Sequence, residues 1–76
     1  MIIKILGGGC KNCQKLYNNT LEAIETLKVD AQVVKVEDIK EIMAYGVMKT
    51  PALVVDEQVK ATGRVVKVKE IVNILK

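Results

Sequence analysis

The feature that most limits the possible folds is the order in which two kinds of apolar pattern follow each other along the chain. Short β-branched runs, typical of strands, alternate with longer segments whose apolar residues recur at the spacing of an amphipathic helix. The strand-like runs are 2–6, 31–36, 52–55 and 59–62, and the helix-like segments are 12–28, 37–46 and 68–75. This order predicts an α/β fold of type βαβαββα, with a four-stranded mixed sheet flanked by three helices.

Individual residues indicate how the strands are arranged. The first βαβ unit should be a right-handed parallel crossover, and Lys35 suggests that its second strand lies at an edge. Pro51 cannot donate a ladder hydrogen bond and therefore marks the start of the next strand. The unbroken apolar run 52–55 predicts burial on both faces. Val59 and Ala61 alternate with polar residues, which predicts a half-buried antiparallel strand in a hairpin.

Each helix is predicted from one apolar stripe. The second helix should begin with the acidic pair at 37–38 and stop at Gly46. In chain order, the three stripes are Cys13, Leu16, Tyr17, Thr20, Ile24 and Leu27; then Ile39, Ile42 and Met43; then Val68, Ile71, Val72 and Leu75.

Size and composition exclude several classes of function. The 76 residues fit one domain, 1–76, and a domain of this size buries only about 60% of its unfolded surface. Histidine is absent, which removes the usual general base and the commonest metal ligand. The net charge of +3 is dispersed over interleaved lysines and glutamates, and the only aromatic residues are two tyrosines. This composition gives no basic, base-stacking surface for nucleic acid.

The chain also shows no pattern of membrane insertion or export. No apolar run approaches the roughly 20 residues of a membrane helix, and the segment 1–6 has no signal-peptide pattern. We therefore expect a cytoplasmic protein without a membrane partner.

Two cysteines in a reducing compartment are rarely a permanent structural disulfide, so we expect them to serve in catalysis or metal binding. A monomer is the expected state, because the predicted sheet edges carry lysine.

The chemistry is expected at Cys10 and Cys13, which stand where the first strand and the glycines 7–9 lead into a helix. A sulfur at a helix N-terminus faces unsatisfied N–H groups and the positive end of the helix dipole, which favour the thiolate. Cys13 lies one turn further, on the apolar face. The pattern predicts that Cys10 attacks a substrate disulfide and that Cys13 resolves the mixed disulfide.

Other functions remain alternatives at this stage. A CxxC pair also serves small carriers of copper or zinc, although those run βαββαβ and end in a strand. A site that has lost its reductase would be a non-catalytic binding module. The glycines 7–9 lack the spacing of a dinucleotide fingerprint and the Lys-Ser/Thr ending of a P-loop. A CxxC within a βαβ pattern favours the redox interpretation, and no metal or other cofactor is predicted.

Three features together resemble thioredoxins. They are the cysteine pair after the first strand, the run YGVMKTP at 45–51, and Gly63 after the hairpin. The short length and the Gly-Gly-Gly-Cys entry are most similar to the small prokaryotic glutaredoxin-like thioredoxins, also called redox-active disulfide proteins. The resemblance covers essentially the whole chain and implies a protein-disulfide reductase.

The resemblance also implies roles for three further residues. Pro51 should be a cis-proline facing the disulfide, although it could also be a plain edge-strand breaker. The backbone of Thr50 should pair with an extended substrate segment. Gly63 should allow a close approach to the site, although it could also be an ordinary turn glycine. The implied partners are proteins with disulfides and an unidentified reductase or thiol that donates electrons.

Several positions depart from the family pattern, since thioredoxins carry Trp before the first cysteine and Gly-Pro between the pair, where this chain has Gly9 and Lys11-Asn12. Thioredoxins place a buried acid six residues before the first cysteine, where it helps to deprotonate the resolving thiol, and that position is Lys4 here. A neutral Lys4 amine could replace the acid, but a surface lysine with a buried stem is the simpler interpretation. Lys11, between the cysteines, could promote the thiolate or be a solvated surface residue.

Overall fold

The chain forms a four-stranded sheet with helices on both faces. The computed structural model describes residues 1–76. Its elements are β1 (Ile2–Leu6), α1 (Lys11–Leu27), β2 (Gln32–Val36), α2 (Ile39–Ala44), β3 (Ala52–Val55), β4 (Gln58–Thr62) and α3 (Val68–Leu75). The strand order is β2-β1-β3-β4. β1 is parallel to β2 and antiparallel to β3, and β4 is antiparallel to β3. The predicted fold class is confirmed, with β2 at an edge.

The alternation of side chains along β1 divides the core into two parts. Ile3 and Ile5 point to the face covered by α1 and α3, whereas Leu6 belongs to the opposite face, covered by α2. The first cluster also contains Leu16, Ala23, Leu53, Val55, Ala61, Val66, Ile71 and Leu75. The second contains Val36, Ile42, Val47, Ala52 and Val54. All four residues of β3 are buried, as the unbroken apolar run predicts.

The apolar stripe predicted for α2 is only partly buried. Ile42 packs into the second cluster, but Ile39 is 71% exposed and Met43 is 64% exposed. The helix has only six residues, so a single turn contacts the sheet and the flanking apolar residues face solvent. The expectation that all three residues cover the core is therefore wrong.

The hairpin also differs from its predicted alternation. The register shifts by one residue between Leu53 and Val54, so Leu53 pairs with Ala61 and Val54 pairs with Val59. Because neighbouring residues of β3 face opposite sides, the bulge turns Val59 away from the face that Ala61 occupies. Ala61 is buried, whereas Val59 is 39% exposed.

The turn between β3 and β4 is held by contacts with β1. Asp56 and Glu57 both have positive φ, 48° and 69°, a conformation that is uncommon for residues other than glycine. The Ile2 N–H donates to Asp56 Oδ1 at 2.9 Å, and the Asp56 N–H donates to the Ile2 carbonyl at 2.9 Å. These bonds offset the cost of the two left-handed residues.

Candidate active site

The two cysteines lie at the junction of β1 and α1 and form a disulfide with a Cα–Cα distance of 5.0 Å. Cys10 is the N-cap of α1 and has an extended backbone conformation, with φ −71° and ψ 165°. Cys13 lies in the first turn. Only four residues separate the end of β1 from the start of α1. Because this connection is short, the position of β1 in the sheet fixes where the helix begins.

The two sulfurs have different surroundings. Cys10 is exposed, whereas Cys13 is only 5% exposed. The Cys13 backbone N–H donates to Cys10 Sγ at 3.1 Å. An accessible sulfur that accepts an N–H bond at a helix N-terminus is stabilised as a thiolate when the disulfide is reduced. The site therefore offers one sulfur to a partner molecule and shields the other.

Gly7 makes room for the buried sulfur. A Cβ atom built at Gly7 would overlap Cys13 Sγ and would lie 3.6 Å from the Cβ of Thr50. Gly7 itself is buried. The sequence analysis used the glycines 7–9 as a break after the strand and as part of the family resemblance, and it missed this role. The available signal was a glycine placed directly between a buried strand and a CxxC pair.

Thr50 also lies beside Gly7, close to the position of the same built Cβ atom as Cys13. Thr50 is exposed and Pro51 is buried, and the peptide bond between them is cis. Pro51 leads directly into β3, whose first residue, Ala52, pairs with Leu6. This pairing brings the segment before β3 beside the end of β1. Cys13 and Thr50 thus lie close together beside Gly7.

Gly63 contacts the same segment from the hairpin. Its N–H donates to the Pro51 carbonyl at 2.9 Å, and its φ is +71°. A Cβ atom there would lie 3.2 Å from the Cβ of Lys49, in addition to the backbone strain. Gly63 is therefore adjacent to the segment that contains Lys49, Thr50 and Pro51.

An apolar groove runs from the site along α2, and we call it the α2 groove. It begins at Gly8 and Thr50, and it is lined by Ile39 and Met43, the exposed apolar residues of α2. Met48 is 92% exposed. The lining residues are Gly8, Glu37, Ile39, Ile42, Met43, Val47, Met48 and Thr50. The flexible side chains of Met43 and Met48 can adapt to varied apolar partners.

Lys4 is tied into a polar network on the α2 face. Its Nζ donates to Tyr45 Oη at 2.7 Å and lies 2.8 Å from Glu57 Oε1. Tyr45 Oη in turn donates to Glu57 Oε2 at 3.0 Å. The hydrogen bond to Glu57, and then that to Tyr45, raise the pKa of Lys4 well above its ordinary value. Lys4 therefore stays protonated and cannot accept a proton from Cys13.

The same network leads to a pH-dependent stability that can be measured. The hydrogen bonds from Lys4 and Tyr45 lower the pKa of Glu57. A lowered carboxylate pKa stabilises the fold above the unfolded value of about 4.3, and this contribution is lost as pH falls through the folded pKa. We expect E57Q to be slightly less stable than wild type at neutral pH, because surface pairs contribute little, and to match it near pH 2.

Urea unfolding at both pH values checks this expectation. E22Q, which removes an exposed carboxylate on α1, is the matched control. Equal effects of the two substitutions at neutral pH would contradict a specific Lys4–Glu57 contribution.

The metal-carrier alternative is not favoured by the geometry. The chain ends in α3 and not in a strand, and the structure contains no group of three or more cysteine, aspartate or glutamate side chains arranged to hold a metal ion. The helices also lack the combination of length and apolar character needed to cross a membrane.

The comparisons with known proteins all point to one family. A family profile described as "Thioredoxin domain" matches residues 1–76. A thioredoxin of Methanothermobacter thermautotrophicus is 41% identical over 75 residues, covering 99% of this chain and 97% of that protein. A thioredoxin of Methanocaldococcus jannaschii is 40% identical over 76 residues, covering all of this chain and 87% of that protein.

Proposed function

The chain belongs to the thioredoxin family and is a thiol–disulfide oxidoreductase, and from this premise we propose that it reduces disulfides of other proteins with Cys10 as the attacking thiolate and Cys13 as the resolving thiol. The observation that carries the assignment of roles is the asymmetry of the pair. Cys10 is an exposed helix N-cap, and Cys13 is buried one turn away within bonding distance.

The reaction proceeds by two exchanges. The Cys10 thiolate attacks one sulfur of the substrate disulfide, forming a mixed disulfide and releasing the other substrate sulfur as a thiolate. Cys13 then loses its proton and attacks Cys10 Sγ. The Cys10–Cys13 bond forms, the bond to the substrate breaks, and the second substrate thiolate leaves. The substrate gains two electrons and the dithiol loses two, so a reductase or a thiol must later reduce the pair again.

The surroundings of Cys10 support a protein substrate. Thr50 is exposed beside the disulfide, so its backbone is available to pair with an extended segment of a partner. The α2 groove leads away from that point and presents Met43 and Met48 to solvent. We infer that apolar side chains next to the substrate cysteine occupy this groove. Gly63 supports the arrangement through its hydrogen bond to the Pro51 carbonyl.

We also propose where the protein acts, what donates its electrons, and what it does not bind. A reductase suits the reducing cytoplasm, where the electron donor is a reductase or a low-molecular-weight thiol. The dispersed charge of +3 gives no nucleic-acid surface, and no membrane partner is proposed. The protein acts as a monomer, since both edge strands of the sheet carry lysine, and it needs no metal or other cofactor, since the exchange uses only the two sulfurs.

Cys13→Ser tests the proposal, because it leaves the first exchange intact and removes the second. We expect the variant to accumulate a covalent complex with oxidised insulin, visible on a non-reducing gel and dissolved by dithiothreitol. Wild type should instead release reduced insulin chains. A Cys13→Ser protein that forms no complex with insulin would show that Cys13 does not resolve the mixed disulfide.

A further substitution in the same background tests the groove. Met48→Glu places a charge in the α2 groove and should reduce complex formation with insulin about tenfold, equivalent to about 1.4 kcal/mol. The rate with a small aromatic disulfide should be unchanged. Gln58→Glu, on the exposed surface of β4, adds the same single negative charge and is the control. Equal losses with both disulfides would mean that Met48 acts on Cys10 and not on protein binding.

A further inference from the structure

A small cavity lies directly against the buried cysteine. Its volume is about 20 Å³, enough for one water molecule. Two of the residues that line it, Gln14 and Glu37, are exposed residues whose polar side chains can hydrogen-bond a water. The lining residues are Ile5, Gly7, Gly9, Cys13, Gln14, Lys35 and Glu37. The cavity therefore connects Cys13 with a carboxylate through a space that suits water.

Backbone pairing places Glu37 at this cavity. β2 runs parallel to β1, with Val36 paired to Leu6, and the Gly7 N–H donates to the Val36 carbonyl at 2.9 Å. Residue 37 follows immediately after this bond. The segment that carries Glu37 is thus fixed beside Gly7, and Gly7 is the residue against which Cys13 Sγ packs.

The second exchange needs a proton acceptor near Cys13. A thiol in apolar surroundings ionises less readily than a solvated one, and only the thiolate is the nucleophile. The chain has no histidine, and Lys4 is held as a cation by Glu57 and Tyr45. The neighbouring carboxylate of Asp38 caps α2 by accepting from the Lys40 N–H at 2.9 Å.

The other charged groups around Cys13 are cations and cannot take a proton. Lys35, on β2, lines the cavity, and its Nζ lies 4.4 Å from the centroid of the Tyr17 ring. Lys11 and Lys15 are exposed on α1. Glu37 is the one carboxylate among the lining residues.

We propose that Glu37 accepts, through a water molecule in this cavity, the proton that Cys13 loses when it attacks the mixed disulfide. This role rests on the proposed function. Cys13 gives its proton to the water, the water gives a proton to the Glu37 carboxylate, and the sulfur attacks Cys10 as the substrate thiolate leaves. When the disulfide is reduced again, the same path returns the proton to Cys13. Glu37 therefore acts through the water and does not itself contact the reacting sulfur.

Stopped-flow reduction of dithiobis-nitrobenzoate by the reduced protein separates the two exchanges. Attack by Cys10 releases the first coloured thiolate, and attack by Cys13 releases the second. We expect E37Q to slow the second phase about a hundredfold at neutral pH, the lower end of general acid–base contributions. The deficit should shrink steadily as pH rises above about 9, because hydroxide then takes the proton in place of the carboxylate. E37D should restore part of the rate.

E41Q is the matched control, because Glu41 is an exposed carboxylate on α2 that lies in a different surface pocket, with Lys4. The first phase should respond to E37Q no more than to E41Q. A second phase within twofold of wild type at every pH, or an equal slowing by both substitutions, would overturn the role of Glu37. A slowing without pH dependence would indicate a structural effect and also overturn it. If wild type itself lacks the second phase, the proposed function fails instead.

Discussion

Replacing Cys10 with serine should abolish disulfide reduction, lowering the rate by at least about three orders of magnitude, as expected when a nucleophile is removed. Serine keeps the size of the side chain, but its hydroxyl does not ionise near neutral pH and cannot exchange with a disulfide. The position is exposed, so the fold should tolerate the change. Insulin reduction with dithiothreitol as donor, corrected for the uncatalysed rate, measures the effect.

Two controls make this result specific to the nucleophile. Urea unfolding of the variant should match that of reduced wild type, because no buried contact is lost. Lys11→Gln, at the adjacent exposed position, tests whether the lysine promotes the thiolate, and it should retain most of the activity. Turnover by Cys10→Ser near the wild-type rate would refute the assignment of Cys10.

Gly7→Ala should disrupt the site without replacing either cysteine. The added Cβ would overlap the buried Cys13 Sγ, so either the helix start or the cysteine side chain must move. Overpacking of this kind costs about 1–3 kcal/mol. For a domain of this size each 1 kcal/mol corresponds to a fall in Tm of roughly 4–8 °C. Thermal unfolding and a dithiothreitol redox titration, both on Gly7→Ala and wild type, measure the two consequences.

Gly8→Ala provides the matched control one residue away. A Cβ at Gly8 meets nothing within 4 Å, and Gly8 is exposed. The same chemical change should therefore leave both Tm and the redox midpoint close to those of wild type. If the two alanine variants behave alike, the packing of Gly7 against Cys13 does not control the site.

The parts that sequence reasoning predicted correctly depend on local patterns. The seven elements were placed within one or two residues, because each has its own periodicity and its own boundary signals. Cys10 could be placed at a helix N-terminus because the helical stripe begins just after it, and Cys13 on the buried face because it belongs to that stripe. The continuous apolar run of β3 likewise indicated burial on both faces.

The errors and omissions involve residues whose environment depends on distant parts of the chain. The stripe of α2 gave no sign that Ile39 and Met43 would remain exposed, since this depends on how little of a six-residue helix meets the sheet. Val59 lost its expected position through a bulge, which is a property of the pairing of two strands. Lys4 could be recognised as unusual, but its partners lie 41 and 53 residues away.

The sequence by itself determined the order of the elements, the location of the cysteine pair and the difference between its two sulfurs, because hydrophobic periodicity and helix position act over a few neighbouring residues. Only the tertiary structure decided what surrounds that pair. Parallel pairing of β2 with β1 brings Glu37 to the cavity beside Cys13, and antiparallel pairing of β3 brings Thr50 to Gly7. Strand pairing joins segments that are distant in the chain, and its register sets which side chains meet.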